Sequence, residues 1–171
     1  MRSVHVAVAL PQVSPEAGYE QVRRFARYPE LAPVVRSVIV REGGAGGEVS
    51  DWEVYFRNGI LRWTESDRFD PDRLSITFAQ LDGDFDSFAG VWRVEAAGSG
   101  CLVDFGAEFD FGIPSLAGIL DPVAERVIKE TIARVVLGLF GGEGTVVGDE
   151  ALARAVALPA AEIPLAGTPA G

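Results

Sequence analysis

The sequence predicts an α+β fold in which a curved antiparallel sheet of about seven strands wraps one long C-terminal helix. Three observations carry that reading. Segments of period-two alternation follow one another with short turns between them, the pattern of an antiparallel meander. One stretch near the C-terminus instead places its apolar residues at helical spacing. A single helix cannot bury both faces of so wide a sheet, so the sheet must curl around it and leave a space between them. That space should be an apolar pocket of about a few hundred Å³ or more.

Along the chain, Val4, Val6, Val8 and Leu10 alternate in a first strand that Pro11 closes. Ser14-Pro15-Glu16 then starts a helix: a serine to cap it, a proline suited to the first helical position, and an acid at the positive end of the dipole. The helix runs to about Ala26, and Tyr28-Pro29 and Ala32-Pro33 leave room for at most one short second helix. Val38-Ile39-Val40 is a strand, and Gly43 to Gly47 a flexible turn. Val49 to Arg57 and Ile60 to Phe69 form a hairpin signalled by Asn58-Gly59. Asp70-Pro71-Asp72, Asp82-Gly83-Asp84 and Gly98-Ser99-Gly100 separate three further strands, Leu74 to Leu81, Phe85 to Val94 and Leu102 to Phe111. Asp121-Pro122 begins the long helix, in which Val123, Val127, Ile128, Thr131, Ile132, Val135, Val136 and Leu139 recur at helical spacing up to the Gly141-Gly142 stop. Residues 1–142 thus read as one domain. Residues 143–171 read as a weakly ordered tail, and deleting Ala151 to Gly171 should leave the melting temperature nearly unchanged.

Composition excludes several function classes. The 171 residues carry a net charge of −10, from 25 acidic and 15 basic side chains. Nucleic acid and anionic membranes both demand clustered cations, so neither is an expected partner. No apolar run is long enough to span a bilayer and no signal-like segment opens the chain, so a cytoplasmic location is expected. A single Cys (Cys101) and a single His (His5) exclude an intrachain disulfide, a multi-cysteine metal site and a two-histidine metal site. His5 alternates against the valines of its strand and faces away from them. The glycine run 43–47 lacks the lysine and the strand-to-helix context of a phosphate loop. No metal and no cofactor are expected.

Strand periodicity divides the second half of the hairpin into two faces. Arg62, Thr64, Ser66 and Arg68 share one, and Trp63, Glu65, Asp67 and Phe69 the other. If the first face lines the cavity, Arg68 can bind a carbonyl and stabilise an enolate. If the second does, Glu65 and Asp67 supply a paired-carboxylate acid/base option. Aromatic side chains on the strands would stack on a flat ligand, with Trp92 and Phe105 foremost and Trp63 and Phe88 beside them. Tyr55 offers a hydroxyl proton.

Particular segments resemble the polyketide cyclase/dehydrase and lipid-transport branch of the START-like (SRPBCC) superfamily. They are Tyr28-Pro29-Glu30-Leu31 followed by Val38-Ile39-Val40, the Gly90-Val91-Trp92 strand, and Phe109-Asp110-Phe111 followed by Leu116 to Leu120 and the long helix. The last of these is similar to coenzyme Q-binding homologues, and the resemblance covers roughly residues 3 to 140. It implies a helix-grip fold. Asn58 to Arg68 also resembles, without gaps, the strand that carries the catalytic arginine of aromatic-polyketide aromatase/cyclases, with Ser66 and Arg68 in the family's Ser and Arg positions. Val35 stands where those cyclases place a tyrosine. The likeness implies a cofactor-free cyclase or aromatase acting on a polyketide-like intermediate, with an acyl carrier protein as the partner that would present it. The alternative is a non-catalytic carrier of a quinone, isoprenoid or other lipid-like ligand. Either would act as a monomer or homodimer.

Overall fold

In the computed structural model, residues 1–159 are described, and they form one antiparallel sheet gripping a long helix. Eight strands, β1 (Arg2–Leu10), β2 (Val35–Glu42), β3 (Glu48–Phe56), β4 (Gly59–Asp70), β5 (Ser75–Gly83), β6 (Ser87–Ala97), β7 (Gly100–Asp110) and β8 (Thr145–Val147), lie in the order β2-β3-β4-β5-β6-β7-β1-β8. Strands β2 to β7 are therefore a meander, and β1 returns to pair with β7. The inward faces carry the core: Val4, Val6, Val8 and Leu10 on β1, Trp52, Val54 and Phe56 on β3, Phe88 and Trp92 on β6, and Val103, Phe105 and Phe109 on β7. Against this concave face packs α3 (Ala117–Leu139), with Ala124, Val135 and Val136 buried.

Local chemistry accounts for the elements at the closed end. Helix α1 (Pro15–Val22) is capped as expected, its Ser14 hydroxyl accepting from the Ala17 N–H at 3.1 Å. The four-residue α2 (Tyr28–Leu31) is pinned by Tyr28, whose buried hydroxyl donates to the Val22 carbonyl at 2.6 Å. The β3–β4 hairpin turns on Arg57 and Asn58, one residue earlier than the Asn58-Gly59 signal suggested. Phe56 pairs with Gly59, and Arg57 takes the left-handed conformation at φ +57°. Gly47 lets the β2–β3 turn close onto β4, because a Cβ there would lie 2.7 Å from the Asp67 carbonyl oxygen.

Two boundaries differ from expectation. Helix α3 begins at Ala117 and not at Asp121, so Pro122 sits inside it. Pro122 offers no N–H to the Gly118 carbonyl, so this turn of α3 runs without that bond. The segment after residue 142 is not a loose tail as far as residue 158. Strand β8 pairs with β1 through Val146↔Val8, and α4 (Glu150–Ala157) is capped by Asp149, whose carboxylate accepts from Leu152 N at 3.0 Å. Leu152 is buried, Lys129 of α3 donates to Asp149 at 2.8 Å, and Arg134 of α3 donates to the Ala155 and Leu158 carbonyls at 3.1 and 3.0 Å. The remainder of the expected tail, residues 160–171, lies outside the described residues. Deletion from Ala151 would thus strip a docked helix and lower stability. Leu152→Ala should cost about 2–3 kcal/mol, at the low end for a buried leucine. Thermal unfolding should show a fall in Tm of roughly 4–12 °C for a chain of this size, and an unchanged Tm would mean that α4 does not dock.

Candidate functional site

Between the concave face and α3 lies an apolar pocket walled by Trp52, Trp63, Phe78, Phe85, Phe88, Trp92 and Phe105 from the sheet and by Ala124, Val127, Ile128, Thr131 and Ile132 from the helix. It is narrower than expected. Space for the centres of water-sized molecules is only about 60 Å³, room for a handful of waters. The rings themselves fill the rest. The indoles of Trp52 and Trp63 stack at 5.7 Å and 4°, while Phe85 meets Phe88 at 4.7 Å and Trp92 meets Phe105 at 4.8 Å. The hydroxyl of Thr131 is spent on its own helix, donating to the Val127 carbonyl at 2.6 Å. One ionisable side chain lines this pocket among the described residues, Glu65.

The pleat of β4 decides which candidates meet. Leu61, Glu65 and Asp67 are buried, Trp63 is half-buried on the same side, and Arg62 and Arg68 are exposed on the other. Arg68 and Ser66, placed by the resemblance in catalytic positions, therefore lie on the convex face, opposite Thr77 and Ala79 of β5 and away from the pocket. Tyr55 also faces outward, between the buried Val54 and Phe56. Trp63, Phe88, Trp92 and Phe105 do line the pocket, as their alternation suggested. The second-choice pair, Glu65 and Asp67, is the one brought to the concave side.

Around that pair the β3–β4 ladder stacks three inward rows. Trp52 lies opposite Trp63, Ser50 opposite Glu65, and Glu48 opposite Asp67. Both indole N–H groups point toward the polar rows: Trp63 Nε1 donates to Glu65 Oε1 at 2.8 Å and Trp52 Nε1 to Ser50 Oγ at 2.8 Å. Ser50 passes the polarity on, its hydroxyl donating to Asp67 Oδ2 at 2.5 Å. The other Asp67 oxygen, Oδ1, is buried with no partner within hydrogen-bonding distance among the described residues. Ser50 and Glu48 were not candidates in the sequence. The signal that finds them is the hairpin register, which sets them across from the two acids.

Burial raises the proton affinity of both acids. Glu65 is pushed well above the usual carboxylate range, first by loss of solvent and then by Asp67 beside it. Asp67 is raised by burial too, but its contacts with Glu65 and Ser50 pull it back. Glu65 is thus the acid whose proton affinity is raised more, while the Ser50 hydroxyl supports charge on Asp67. Tyr28, packed 5.7 Å from the Trp52 ring, is raised by burial and then by Glu65 and Asp67, so its phenol stays neutral.

A curved sheet gripping one long helix, with an aromatic pocket between them, is the helix-grip arrangement of the START-like superfamily. Residues 11–136 match the family described as polyketide cyclase/dehydrase and lipid transport, and the chain belongs to that family. Solved structures agree on the fold. A Thermus thermophilus protein superposes with a TM-score of 0.73 at 22% identity, over 83% of this chain and 97% of that one. The Zhui aromatase/cyclase from a Streptomyces species follows at 0.64 and 19%, over 83% and 94%. A START superfamily protein from Mycobacterium smegmatis gives 0.61 and 16%, over 82% and 94%. No curated protein sequence matches the chain.

The acid pair has a signature in stability. Above about pH 4.3 the unfolded chain has released the Glu65 proton that the native state still holds, so stability falls as pH rises through the range above the ordinary glutamate value. Glu65→Gln, which keeps an amide oxygen for Trp63 Nε1, should flatten this slope. Tm measured from pH 5 to pH 8 should decline less in the variant than in the parent, and parallel curves would show that Glu65 does not hold the proton.

Proposed function

We propose that this protein is a cofactor-free cyclase or aromatase that closes a ring in a polyketide-like intermediate, with Glu65 as its general acid/base. The observation that supports this most is the placement of one carboxyl, its proton affinity raised by burial, in a pocket whose other walls are apolar. A carrier of lipid-like ligands gains nothing from burying two acids, which costs stability unless their protonation is put to use.

The arrangement suits a stepwise ring closure. The stacked indoles and the phenylalanine rings hold a flat or folding chain in the conformer from which the new bond forms, which supplies much of the rate by orientation. Glu65 donates its proton to the carbonyl oxygen as the enol form of the chain attacks that carbon, and its carboxylate takes up the enol proton, so the carbon–carbon bond forms and the carbonyl becomes a hydroxyl. Glu65 next gives its proton to that hydroxyl, which leaves as water, and its carboxylate removes the remaining proton from the adjacent carbon, so the ring gains a double bond and the acid is restored. Asp67, fixed by Ser50, is the positioning residue that keeps the proton on the pocket side. An acyl carrier protein remains the partner this reading implies for a thioester-borne substrate. The carrier of a quinone or isoprenoid is the competing reading, favoured by the lipid-transport half of the family description.

A poly-β-ketone generated in situ by a minimal polyketide synthase, with products followed by mass spectrometry, separates the two. Glu65→Gln should lower the yield rate of the aromatised product by about 10²–10⁴, the usual contribution of a positioned acid/base. Quenching of tryptophan fluorescence by 2-naphthol should report retained binding. Arg68→Met, on the convex face, should leave turnover within about two- to threefold, as surface changes generally do. Full turnover in Glu65→Gln would remove the acid/base role. A parent protein that binds ubiquinone and accelerates no ring closure would be a carrier.

A further inference from the structure

Resting on that reading, one question is how Glu65 exchanges its proton with solvent when a ligand fills the pocket. The pocket side is closed by aromatic rings and, in turnover, by the substrate itself. The inward rows of the β3–β4 ladder continue past Glu65 in the other direction. Asp67 does not line the pocket; it lies one inward step further along β4 and is 0% exposed. Glu48 sits directly across from it at the start of β3, on the same concave side, and is half-exposed at the rim where the β2–β3 turn closes over the strand. Side chains directly opposite in an antiparallel pair have Cβ atoms about 4.5–5.5 Å apart, within reach of one proton transfer, directly or through one water.

We infer that Glu48 and Asp67 form a back door for protons, connecting the pocket acid Glu65 to solvent at the β2–β3 rim without passage through the ligand. The transfer balances at each step. When Glu65 is ionised, Glu48 delivers a proton to Asp67 Oδ1 and becomes a carboxylate. Asp67 hands that proton to Glu65 and returns to its own carboxylate, and Glu48 reprotonates from water. The unpartnered Oδ1 is the atom through which both transfers run, while Oδ2 is held throughout by Ser50. The groups that face this route are few. Asp67 on β4 raises the proton affinity of Glu48 beyond what burial does, and Arg23 at the end of α1 lowers it. Tyr28 from α2 stands beside the two acids as a neutral phenol. A like-charged pair directly across a ladder is unfavourable when both are ionised, so a shared proton also relieves the Glu48–Asp67 pair.

The indole of Trp63, hydrogen-bonded to Glu65, provides a readout independent of turnover. A stopped-flow pH jump on the full chain, with 2-naphthol saturating the pocket, should give a tryptophan fluorescence relaxation as Glu65 changes protonation. Glu48→Gln should slow that relaxation by about tenfold or more, the scale of losing one positioned proton donor. Glu48→Asp, which keeps the carboxyl, should restore most of the rate and also serves if the glutamine variant folds poorly. Formate added to Glu48→Gln should speed it again, and Glu53→Gln, on the convex face, should leave it unchanged. An unchanged rate in Glu48→Gln, with the transition abolished in Glu65→Gln, overturns the back door and leaves the acid/base role of Glu65 standing. A transition that survives in Glu65→Gln overturns both.

Discussion

Glu65 and Asp67 are buried because of the phase of one strand. A one-residue slip of β4 would carry every inward side chain to the convex face and bring Arg62, Thr64, Ser66 and Arg68 in. Two considerations select the observed phase. Leu61 and Trp63 then join Trp52, Val54 and Phe56 on the same side of the hairpin, so the apolar rows of two strands bury together. The charged groups also differ in what burial demands of them. A carboxyl can enter the core by taking up a proton, and a pair can share one, whereas a guanidinium stays charged at any pH the protein meets. Burying two acids is therefore the cheaper of the two phases.

The same ladder grades from apolar to polar along its length. At one end the stacked indoles of Trp52 and Trp63 form a wall for flat ligands; at the other, Ser50, Glu65, Asp67 and Glu48 form a short polar column. The two ends are joined by the indole N–H groups, which satisfy Ser50 and Glu65 while the ring faces stay apolar. Such a boundary is where a carbonyl on an otherwise apolar ligand would come to rest. It also explains why burial raises the proton affinity of Glu65 further than that of Asp67: Asp67 has the serine donor, and Glu65 has only an indole to offset its loss of water.

How much of this was legible in the residues depends on the signal each feature leaves. The meander, the capped first helix and the long helix are written in periods of two and of 3.6, and they appear where those periods place them. Strand β8 spans only Thr145 to Val147, too short to show a period, and α4 hides in an alanine-rich segment that reads as tail. Its one local mark is Asp149 before Glu150 and Leu152, a cap ahead of an acidic first turn. At the site, alternation isolates two faces of β4 but not which one is buried. The likeness of Asn58 to Arg68 to a catalytic strand favoured Arg68, yet a one-residue difference in such an alignment exchanges the two faces of the strand. The hydrophobic partners on β3 settle the phase, and those become visible only once the turn is known to fall on Arg57 and Asn58.

The C-terminal elements bear on the pocket more directly than their position suggests. Ala124, Val127, Ile128 and Thr131 form the helical wall of the cavity, while Lys129 and Arg134 on the same helix hold the start and the end of α4. A cavity of about 60 Å³ is smaller than a fused-ring ligand requires, so uptake has to displace rings or move α3 away from the sheet. The rings on the sheet side are locked edge to face against one another, and the Trp52 and Trp63 indoles are tied by hydrogen bonds. The helical wall is anchored as well: Ala124, Val135 and Val136 of α3 are fully buried, and Lys129 and Arg134 tie that helix to α4. Displacing α3 would therefore also load α4 and the β8–β1 pairing, so the segment that composition marks as a tail is, in mechanical terms, a brace on the helical side of the pocket.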